Sequence, residues 1–380
     1  MGLRNNRRTS RRYPNAGLVQ ALIVLPLVAP LISTTGFNPQ NQWALQFLRA
    51  TDVWSTTRGA HQTIAVVDTG VEPIADLSLN LLAGADFSNM STTASIGDGR
   101  IDVDEYGHGT GEASLIAGVK RSNQNGIYGL APEARILPIK ASDGPGAGLV
   151  FGITPAINYA ITNHATVINL ALTSTANDPE IYNAIMRAKS RGIIVVAAVG
   201  NDGTSRQYYP AAWPGVVGVG AIDSSGRVWD RSNWGDDVDL VAPGVHILRD
   251  DNRGRVGYSD GTSEATAYVS AAAALVRSAH PGWTAGEVVA ALEATADKPA
   301  DMHGAVRDAR YGAGILDVLA AVSLERPPGS GGRVEGRGDG WGLWWWIGVG
   351  GGLVGLVSVV GGGLVGWRRW RRRGDGGVVG

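Results

Sequence analysis

The chain has 380 residues, of which 44% are apolar, so it can bury a sizeable core and is not globally disordered. Its 55 glycines and 17 prolines follow no Gly-X-Y period, which excludes collagen and indicates a globular body rich in turns. Because the chain has no cysteine, a disulfide scaffold, an iron–sulfur cluster, a zinc site with cysteine ligands and a thiol nucleophile are excluded.

The formal net charge of −1 hides an uneven distribution of charge along the chain. Residues 1–35 hold five arginines and no acidic residue, and residues 368–380 hold five arginines and one acidic residue. Residues 36–367 therefore carry 23 basic and 33 acidic side chains. An acidic body argues against nucleic-acid binding, which needs a basic surface.

Residues 1–35 have the pattern of a secretory signal segment. The arginines come first, and an uncharged, mostly apolar stretch follows from Ala16 to Ser33. We therefore predict that the chain is exported. The pair Arg11-Arg12 also resembles a twin-arginine signal, so the route of export and the cleavage of the segment stay open at this point.

Residues 341–367 are predicted to form one transmembrane helix. These 27 residues contain no charge and span about 40 Å as a helix, enough to cross a hydrocarbon core of about 30 Å. Tryptophans lie near both ends, and the arginines of 368–380 follow directly, which predicts a cytoplasmic C-terminal tail. Residues 325–340 are rich in Gly and Pro, as linkers are. The body at 36–324 is then expected outside the cytoplasm, anchored to the cell membrane.

Within the body, short apolar runs alternate with helical patterns. The runs are apolar at consecutive positions, which indicates an α/β fold whose parallel sheet is covered by helices on both faces. In such sheets ligands bind beyond the carboxyl ends of the strands, so polar residues there are candidates for a site. The predicted strands are Thr63–Val67, Ile136–Lys140, Val167–Leu172, Ile193–Val199 and Val216–Ile222, and the predicted helices are His108–Gly118, Leu149–Asn163, Pro179–Arg191 and Thr262–Ala279.

Three polar residues lie at ends of predicted strands or helices, namely Asp68, His108 and Ser263. Each alone has an ordinary structural explanation, since Asp, His and Ser are all common in turns and at helix starts. Together they are the three groups that catalysis by a hydroxyl requires: a nucleophile, a base that accepts its proton, and a carboxylate that orients the base.

The segments around these residues resemble the signatures of the subtilisin-like serine proteases. The sequence has DTG at 68–70, HGT at 108–110 and GTSEAT at 261–266, in the chain order of that family. Further similar segments extend the resemblance over nearly all of 36–324. The resemblance implies a subtilisin-like fold and the hydrolysis of peptide bonds in polypeptide substrates.

The same resemblance assigns roles to four residues of this chain. It implies that Ser263 attacks the scissile carbonyl, that His108 accepts and returns the proton, and that Asp68 orients His108. Asn201, in the segment AAVGNDG, corresponds to the side chain that donates to the oxyanion in this family.

The family's substrate-binding strand is only partly matched. The usual pattern Asn-x-Ser-x-Gly appears as NLALT at 169–173, and a Gly-rich segment at 146–148 is the predicted partner on the other side of an extended peptide. The predicted substrate-binding residues are Asn169, Ala171, Leu172, Thr173, Gly146 and Gly148.

Two positions depart from the family pattern. Glu264 and Ala267 stand where the family usually has Met and Pro. Glu264 either raises the pKa of His108 or points to solvent, and the sequence leaves both readings open. These departures motivate the alternative that the chain is a catalytically silent subtilase acting as a scaffold of a secretion or cell-surface complex.

No cofactor is expected for the chemistry, but the resemblance implies a structural calcium site. Its predicted oxygen ligands are Asp76, Asn123 and Gln42. The acidic run at 98–105 is instead expected to be solvated loop charge.

The overall arrangement resembles the mycosins, the membrane-anchored subtilases of type VII secretion. A signal-like segment is followed almost at once by the family-like start near Asn41, and a single span and a short basic tail end the chain. This resemblance implies subunits of a secretion complex as partners. A separate pattern, GYSDG at 257–261, matches the Gly-x-Ser-x-Gly elbow of α/β-hydrolases but leaves Asp68 and His108 unexplained.

Overall fold

The computed structural model describes residues 42–89, 94–120, 126–144 and 150–326, all within one compact unit. The predicted signal segment, transmembrane helix and basic tail, and all but two residues of the predicted linker, lie outside the described residues. Within the described ranges, no helix is both long enough and apolar enough to cross a membrane.

A seven-stranded sheet forms the centre of this unit. In chain order its strands are β1 (Thr63–Asp68), β2 (Ala85–Asp86), β3 (Arg135–Lys140), β4 (Val167–Leu170), β5 (Ile194–Ala198), β6 (Val217–Ile222) and β7 (Leu240–Pro243). They lie in the order β2-β3-β1-β4-β5-β6-β7, and every neighbouring pair is parallel. The chain places β2 and β3 on one side of β1 and the later strands on the other. The carboxyl end of β1 therefore borders the switch point at which open α/β sheets bind ligands.

Helices cover both faces of the sheet. They are α1 (Trp43–Phe47), α2 (Ala50–Trp54), α3 (His108–Ala117), α4 (Val150–Thr162), α5 (Pro179–Ser190), α6 (Thr262–Ala279), α7 (Ala285–Thr295) and α8 (Val318–Val322), with a 3-10 turn at Ala300–Met302. Helices α4 and α5 pack on one face, and the other six pack on the opposite face. The predicted α/β class, with a parallel sheet between two layers of helices, is confirmed.

Helix α6 runs through the interior rather than over the surface. Its residues from Thr262 to Val276 are all buried, and most of them are small. Alanine has the highest helix propensity and lets the helix axis approach the sheet closely. Gly261 precedes the helix and offers no side-chain cap, so the first N–H groups of α6 remain available to other acceptors.

A two-stranded antiparallel hairpin leads from the sheet to the start of α6. Its strands are β8 (Ile247–Asp250) and β9 (Val256–Ser259). The GYSDG pattern at 257–261 therefore lies in an antiparallel hairpin, whereas the elbow of α/β-hydrolases follows a parallel strand. The α/β-hydrolase alternative is wrong.

Candidate active site

The fold brings Asp68, His108, Ser263 and Asn201 to one cleft of about 300 Å³. Asp68 is the last residue of β1, His108 is the first residue of α3, and Ser263 is the second residue of α6. The cleft opens at the carboxyl edge of the parallel sheet, where the sequence predicted the site.

Asp68 and His108 are in direct contact. The Nδ1 atom of His108 lies 2.7 Å from Oδ1 of Asp68, which also accepts a hydrogen bond of 2.8 Å from the backbone N–H of Thr69. Burial lowers the pKa of His108, but the charge and hydrogen bond of Asp68 outweigh burial, and the pKa is raised above its ordinary value. A methyl group at Gly109 would lie 2.2 Å from the backbone oxygen of Gly70, so only glycine lets α3 begin this close to β1.

A second carboxylate, Asp102, accepts hydrogen bonds from residues that follow Asp68 and His108 in the chain. Its Oδ1 accepts a hydrogen bond of 2.9 Å from Oγ1 of Thr69, and its Oδ2 accepts from the N–H and the hydroxyl of Thr110 at 3.0 and 2.5 Å. Burial raises the pKa of Asp102, while the hydrogen bonds from Thr110 and Thr69 act in the opposite direction. Asp104 next to it accepts from the backbone N–H of His108 at 3.0 Å.

The expectation of solvated charge is wrong for Asp102 and Asp104, which are only 5% and 7% exposed. The neighbours Ile101 and Val103 are exposed instead. The alternation of apolar and acidic residues therefore indicated a segment with one inward and one outward face, and the carboxylates lie on the inward face. Hydrophobicity alone predicts buried apolar residues and exposed carboxylates here, because it does not show the threonine and backbone groups that donate hydrogen bonds to the carboxylates.

Ser263 lies in the first turn of the buried helix α6, and its hydroxyl donates to the carbonyl of Ala171 at 3.3 Å. The N–H groups of a first helical turn have no partner within the helix, and together they make its N-terminus electropositive. Negative charge that develops beside Ser263 is therefore stabilised by the start of α6.

The side chain of Asn201 is oriented by Thr262, which donates to its Oδ1 from the backbone N–H at 2.9 Å and from the hydroxyl at 2.8 Å. The amide nitrogen Nδ2 is thereby left as the donor of Asn201 to the cleft. A methyl group at Gly261 would lie 3.5 Å from this Nδ2 and 3.6 Å from the backbone nitrogen of Ser263. Two nitrogen donors thus border the same small space beside Gly261, together with Oε2 of Glu264, which would lie 2.7 Å from the same methyl group.

The predicted substrate-binding residues divide into three groups. Ala171, Leu172 and Thr173 line the cleft. Asn169 does not fit its prediction, because it is fully buried and its Oδ1 accepts from the hydroxyl of Ser270 on α6 at 2.9 Å. The other two predicted residues, Gly146 and Gly148, lie outside the described residues, and the described Ser142 and Gly144 of the same segment line the cleft.

The structure contradicts one of the two alternatives that the sequence left open for Glu264. It is only 2% exposed, so it does not point to solvent, and its Oε1 lies 3.5 Å from Nε of the buried Arg249. Glu112 on α3 is fully buried nearby, and no hydrogen-bond partner is present for either of its carboxylate oxygens among the described residues. Sequence reasoning missed Arg249 and Glu112. The one available signal was that the acidic Glu112 lies within the predicted helix His108–Gly118, whereas no element was predicted around Arg249.

Calcium at the predicted ligands Asp76, Asn123 and Gln42 stays a prediction. The amide of Gln42 pairs with the backbone of Tyr128 through both its oxygen and its nitrogen, and Oδ2 of Asp76 accepts from the N–H of Ile127 at 2.7 Å. These oxygens already accept backbone hydrogen bonds, and Asn123 lies outside the described residues. No cluster of three or more His, Asp or Glu side chains suited to a metal occurs among the described residues.

The subtilase family model matches residues 59–314, more than half of the chain, and the chain belongs to this family. It is 38% identical over 265 residues to a thermophilic serine proteinase of Bacillus sp. (strain AK1), covering 69% of this chain and 62% of that protein. It is 36% identical over 268 residues to subtilisin E of Bacillus subtilis (strain 168), covering 70% of this chain and 66% of the relative. The chain therefore spans slightly less than two thirds of the length of these relatives.

Solved structures of mycosins are also similar to this chain. MycP1 from Mycobacterium smegmatis superposes with a TM-score of 0.65 at 27% identity, covering 78% of this chain and 88% of MycP1. The MycP3 protease from the type VII (ESX-3) secretion system gives a TM-score of 0.63 at 32% identity, covering 76% and 90% of the two chains. The predicted resemblance to subtilases and to mycosins is confirmed.

Proposed function

We propose that this chain is a serine endopeptidase that hydrolyses peptide bonds through an acyl-enzyme, with Ser263, His108 and Asp68 as its triad. The observation that carries the proposal is the 2.7 Å contact between Asp68 and His108 in the same cleft as Ser263. The serine proteases among its relatives support the same reaction class. No cofactor takes part in this chemistry.

The first step is attack by Ser263 on the carbonyl carbon of the scissile bond. For this step the hydroxyl turns its proton from the carbonyl of Ala171 toward Nε2 of His108, which accepts it as general base. Asp68 holds Nδ1 of His108, fixes the tautomer that leaves Nε2 free, and stabilises the imidazolium that forms. His108 then returns the proton to the leaving amine. Water releases the acyl group in a second round of the same steps.

The tetrahedral intermediate carries a negative oxygen that needs hydrogen-bond donors. Nδ2 of Asn201 and the backbone N–H of Ser263 face the space beside Gly261 and are the donors that we assign to it. Loss of the corresponding oxyanion asparagine in subtilisin lowers kcat by about 10²–10³. Thr262 supports this role, because its two hydrogen bonds prevent the amide of Asn201 from turning its oxygen toward the oxyanion.

The substrate is an extended polypeptide that pairs with the backbone from Ala171 to Thr173. This segment follows β4 and lines the cleft, so a peptide can add to it as a further strand. Gly146 and Gly148 are proposed as backbone partners on the other side of the peptide.

The peptidase body is proposed to lie outside the cytoplasm, anchored by the predicted helix at 341–367 and in contact with subunits of a secretion complex. The signal-like segment and the arginines after 367 support this orientation. The similar MycP1 and MycP3 proteases come from type VII secretion systems. A protease added to intact cells is expected to digest the body while sparing a tag placed after Gly380. Digestion only after lysis contradicts the orientation.

Hydrolysis of a fluorogenic peptide by the full-length chain tests the enzymatic proposal. Ser263→Ala should abolish turnover, whereas Ser259→Ala should retain it, because Ser259 lines the cleft but lies at the end of β9, outside the triad. A folded wild-type chain with no activity on peptides, or an active Ser263→Ala variant, contradicts the proposal. The first of these outcomes supports the scaffold alternative.

A further inference from the structure

Arg249, on β8, is a buried cation between the two helices that carry His108 and Ser263. It is 8% exposed, and the nearby carboxylates of Glu264 and Glu112 are 2% and 0% exposed. Its Nη1 donates to the carbonyl of Gly107, the residue before His108, at 3.1 Å. Its Nε lies 3.5 Å from Oε1 of Glu264, the residue after Ser263. One guanidinium therefore touches the immediate chain neighbours of the base and of the nucleophile.

Helix α3 leaves room for this guanidinium because residue 111 is a glycine. A methyl group at Gly111 would lie 1.8 Å from Nη1 and 2.6 Å from Cζ of Arg249, so any larger residue at this position would displace the side chain. The carbonyl of Tyr106 at 3.5 Å and that of Asp250 at 3.3 Å complete the acceptors around Nη1. The planar fork of arginine suits this task, because it presents several donors in fixed directions.

The charge of the cluster is balanced without Glu112. Burial, followed by the negative charge of Glu264, raises the pKa of Glu112 well above its ordinary value. The folded chain therefore favours the protonated, neutral form of Glu112, and Arg249 and Glu264 are left as one pair of opposite charges. A buried charge without its partner is strongly unfavourable, so Arg249 and Glu264 require each other.

We propose that Arg249 is a positioning residue that holds His108 and Ser263 in register, by joining the carbonyl of Gly107 to the carboxylate of Glu264. This proposal rests on the triad proposed above. Helices α3 and α6 come from distant parts of the chain and pack directly against each other, and Arg249 of β8 contacts the residue before His108 and the residue after Ser263. Proton transfer between Ser263 and His108 depends on their separation, and a misplacement of about 1 Å costs on the order of 100-fold in rate.

The pH profile gives a readout that separates positioning from general stabilisation. The charged and titratable groups that act on His108 are Asp68 on β1, Glu112 on α3 and Arg249 on β8. Among them Arg249 lowers the pKa of His108, whereas the two acids raise it. The acid limb of kcat/KM reports this pKa in the free enzyme.

The central experiment compares Arg249→Met/Glu264→Met with Arg255→Met in the full-length chain. The double variant removes both buried charges, so no charge is left unpaired. Arg255 is the matched control, because it lies on the same hairpin and pairs with Asp251 at 2.6 Å, but its side chain is 64% exposed. We expect the double variant to keep a Tm near that of the wild type and a similar KM, while kcat falls about 10- to 100-fold. The control should match the wild type in all three.

Two further variants keep the proposal testable if the double variant does not fold. Arg249→Lys retains the positive charge but has one nitrogen in place of the fork, so kcat should fall while the acid limb stays near its wild-type pH. Arg249→Met alone should move the acid limb to higher pH. A folded double variant or Arg249→Lys with wild-type kcat overturns the proposal, as does a kcat that changes only in parallel with Tm. An active Ser263→Ala variant would instead contradict the triad itself, which keeps the two failures distinct.

Discussion

The contact between Asp68 and His108 sets the chemical state of the base. The imidazole is 17% exposed and the carboxylate 3%, so water screens their interaction poorly. Because the pKa of His108 is raised, the protonated and inactive form persists to higher pH than for a free imidazole. Activity should therefore increase as the pH rises through this pKa, since only neutral His108 can accept the proton of Ser263.

Asp68→Asn tests this interaction. The asparagine removes the negative charge and supports the wrong tautomer of His108, so kcat should fall about 10⁴-fold, as it does in other Ser-His-Asp triads. The acid limb of the residual activity should move to lower pH, because the pKa of His108 is no longer raised by the carboxylate. Steady-state rates on a peptide across a pH series provide the measurement. An unshifted limb would show that Asp68 does not control the base.

Glu112 makes a prediction about stability rather than rate. Its pKa is raised in the folded chain, so the folded state binds a proton that the unfolded state releases above its ordinary pKa. This group therefore favours unfolding increasingly as the pH rises from the unfolded pKa to the folded one, by about 1.4 kcal/mol per pH unit. Glu112→Gln removes the dependence, so its Tm relative to the wild type should increase from pH 5 to pH 8. Parallel Tm curves would show that Glu112 is ionised in the folded chain.

At the residue scale, the sequence predicted those site residues that lie in short local motifs. Asp68, His108, Ser263 and Asn201 each lie in a short signature, and the structure brings all four to one cleft. Asp102, Glu112 and Arg249 lie in no such signature, and the hydrogen bonds of Asp102 and Arg249 include partners far along the chain. Nη1 of Arg249, for example, donates to a carbonyl 142 positions away. A buried polar side chain can be predicted only when its partner is known.

At the scale of elements, the start of α6 combines three functions in consecutive residues. Gly261 leaves the space that we assign to the oxyanion, Thr262 orients Asn201, and Ser263 supplies the proposed nucleophile. Two of these functions depend on the helix end itself, since its first N–H groups are free to bind Asn201 and to face the cleft. A small change at Gly261 should therefore affect catalysis more than folding.

Gly261→Ala is the corresponding variant. The added methyl group would lie 2.7 Å from Oε2 of Glu264 and would fill the space between the two proposed oxyanion donors, so kcat should fall by about 10-fold or more. Gly286→Ala is a matched control, because an added methyl group there meets nothing within 4 Å inside α7. The control should keep kcat and gain about 0.5–1 kcal/mol of stability. Equal kcat values for the two variants would contradict the placement of the oxyanion.

The long elements were predicted more accurately than the short ones. Helix α6 has the predicted bounds Thr262–Ala279, and strand β1 differs from its prediction by one residue. Strand β2 has only two residues, Ala85–Asp86, and the strands of the β8–β9 hairpin have four each, which is too few to establish a period. Such strands are determined by their neighbours in space, and the sequence alone does not specify those neighbours.

At the scale of the whole molecule, the parallel sheet explains why a site can be assembled from residues so far apart in sequence. Parallel strands place all their carboxyl ends at one edge, because each crossover carries the chain back to the opposite, amino edge before the next strand begins. Asp68, His108 and Ser263 lie in the terminal residues of elements that end or begin at the carboxyl edge, although 195 positions separate the first from the last. The fold class could be predicted because continuous apolar runs indicate strands that are buried on both faces.

The central claim is that Ser263 is the activated nucleophile, and covalent labelling of the full-length chain by a fluorophosphonate probe tests it most directly. The probe reacts with a serine only where a neighbouring base has increased its nucleophilicity. Mass spectrometry of the digested adduct should locate a single modification on the peptide that contains Ser263. Labelling should be absent in Ser263→Ala and strongly reduced in His108→Ala. Modification of Ser259, or no labelling of the folded wild-type chain, would contradict the account.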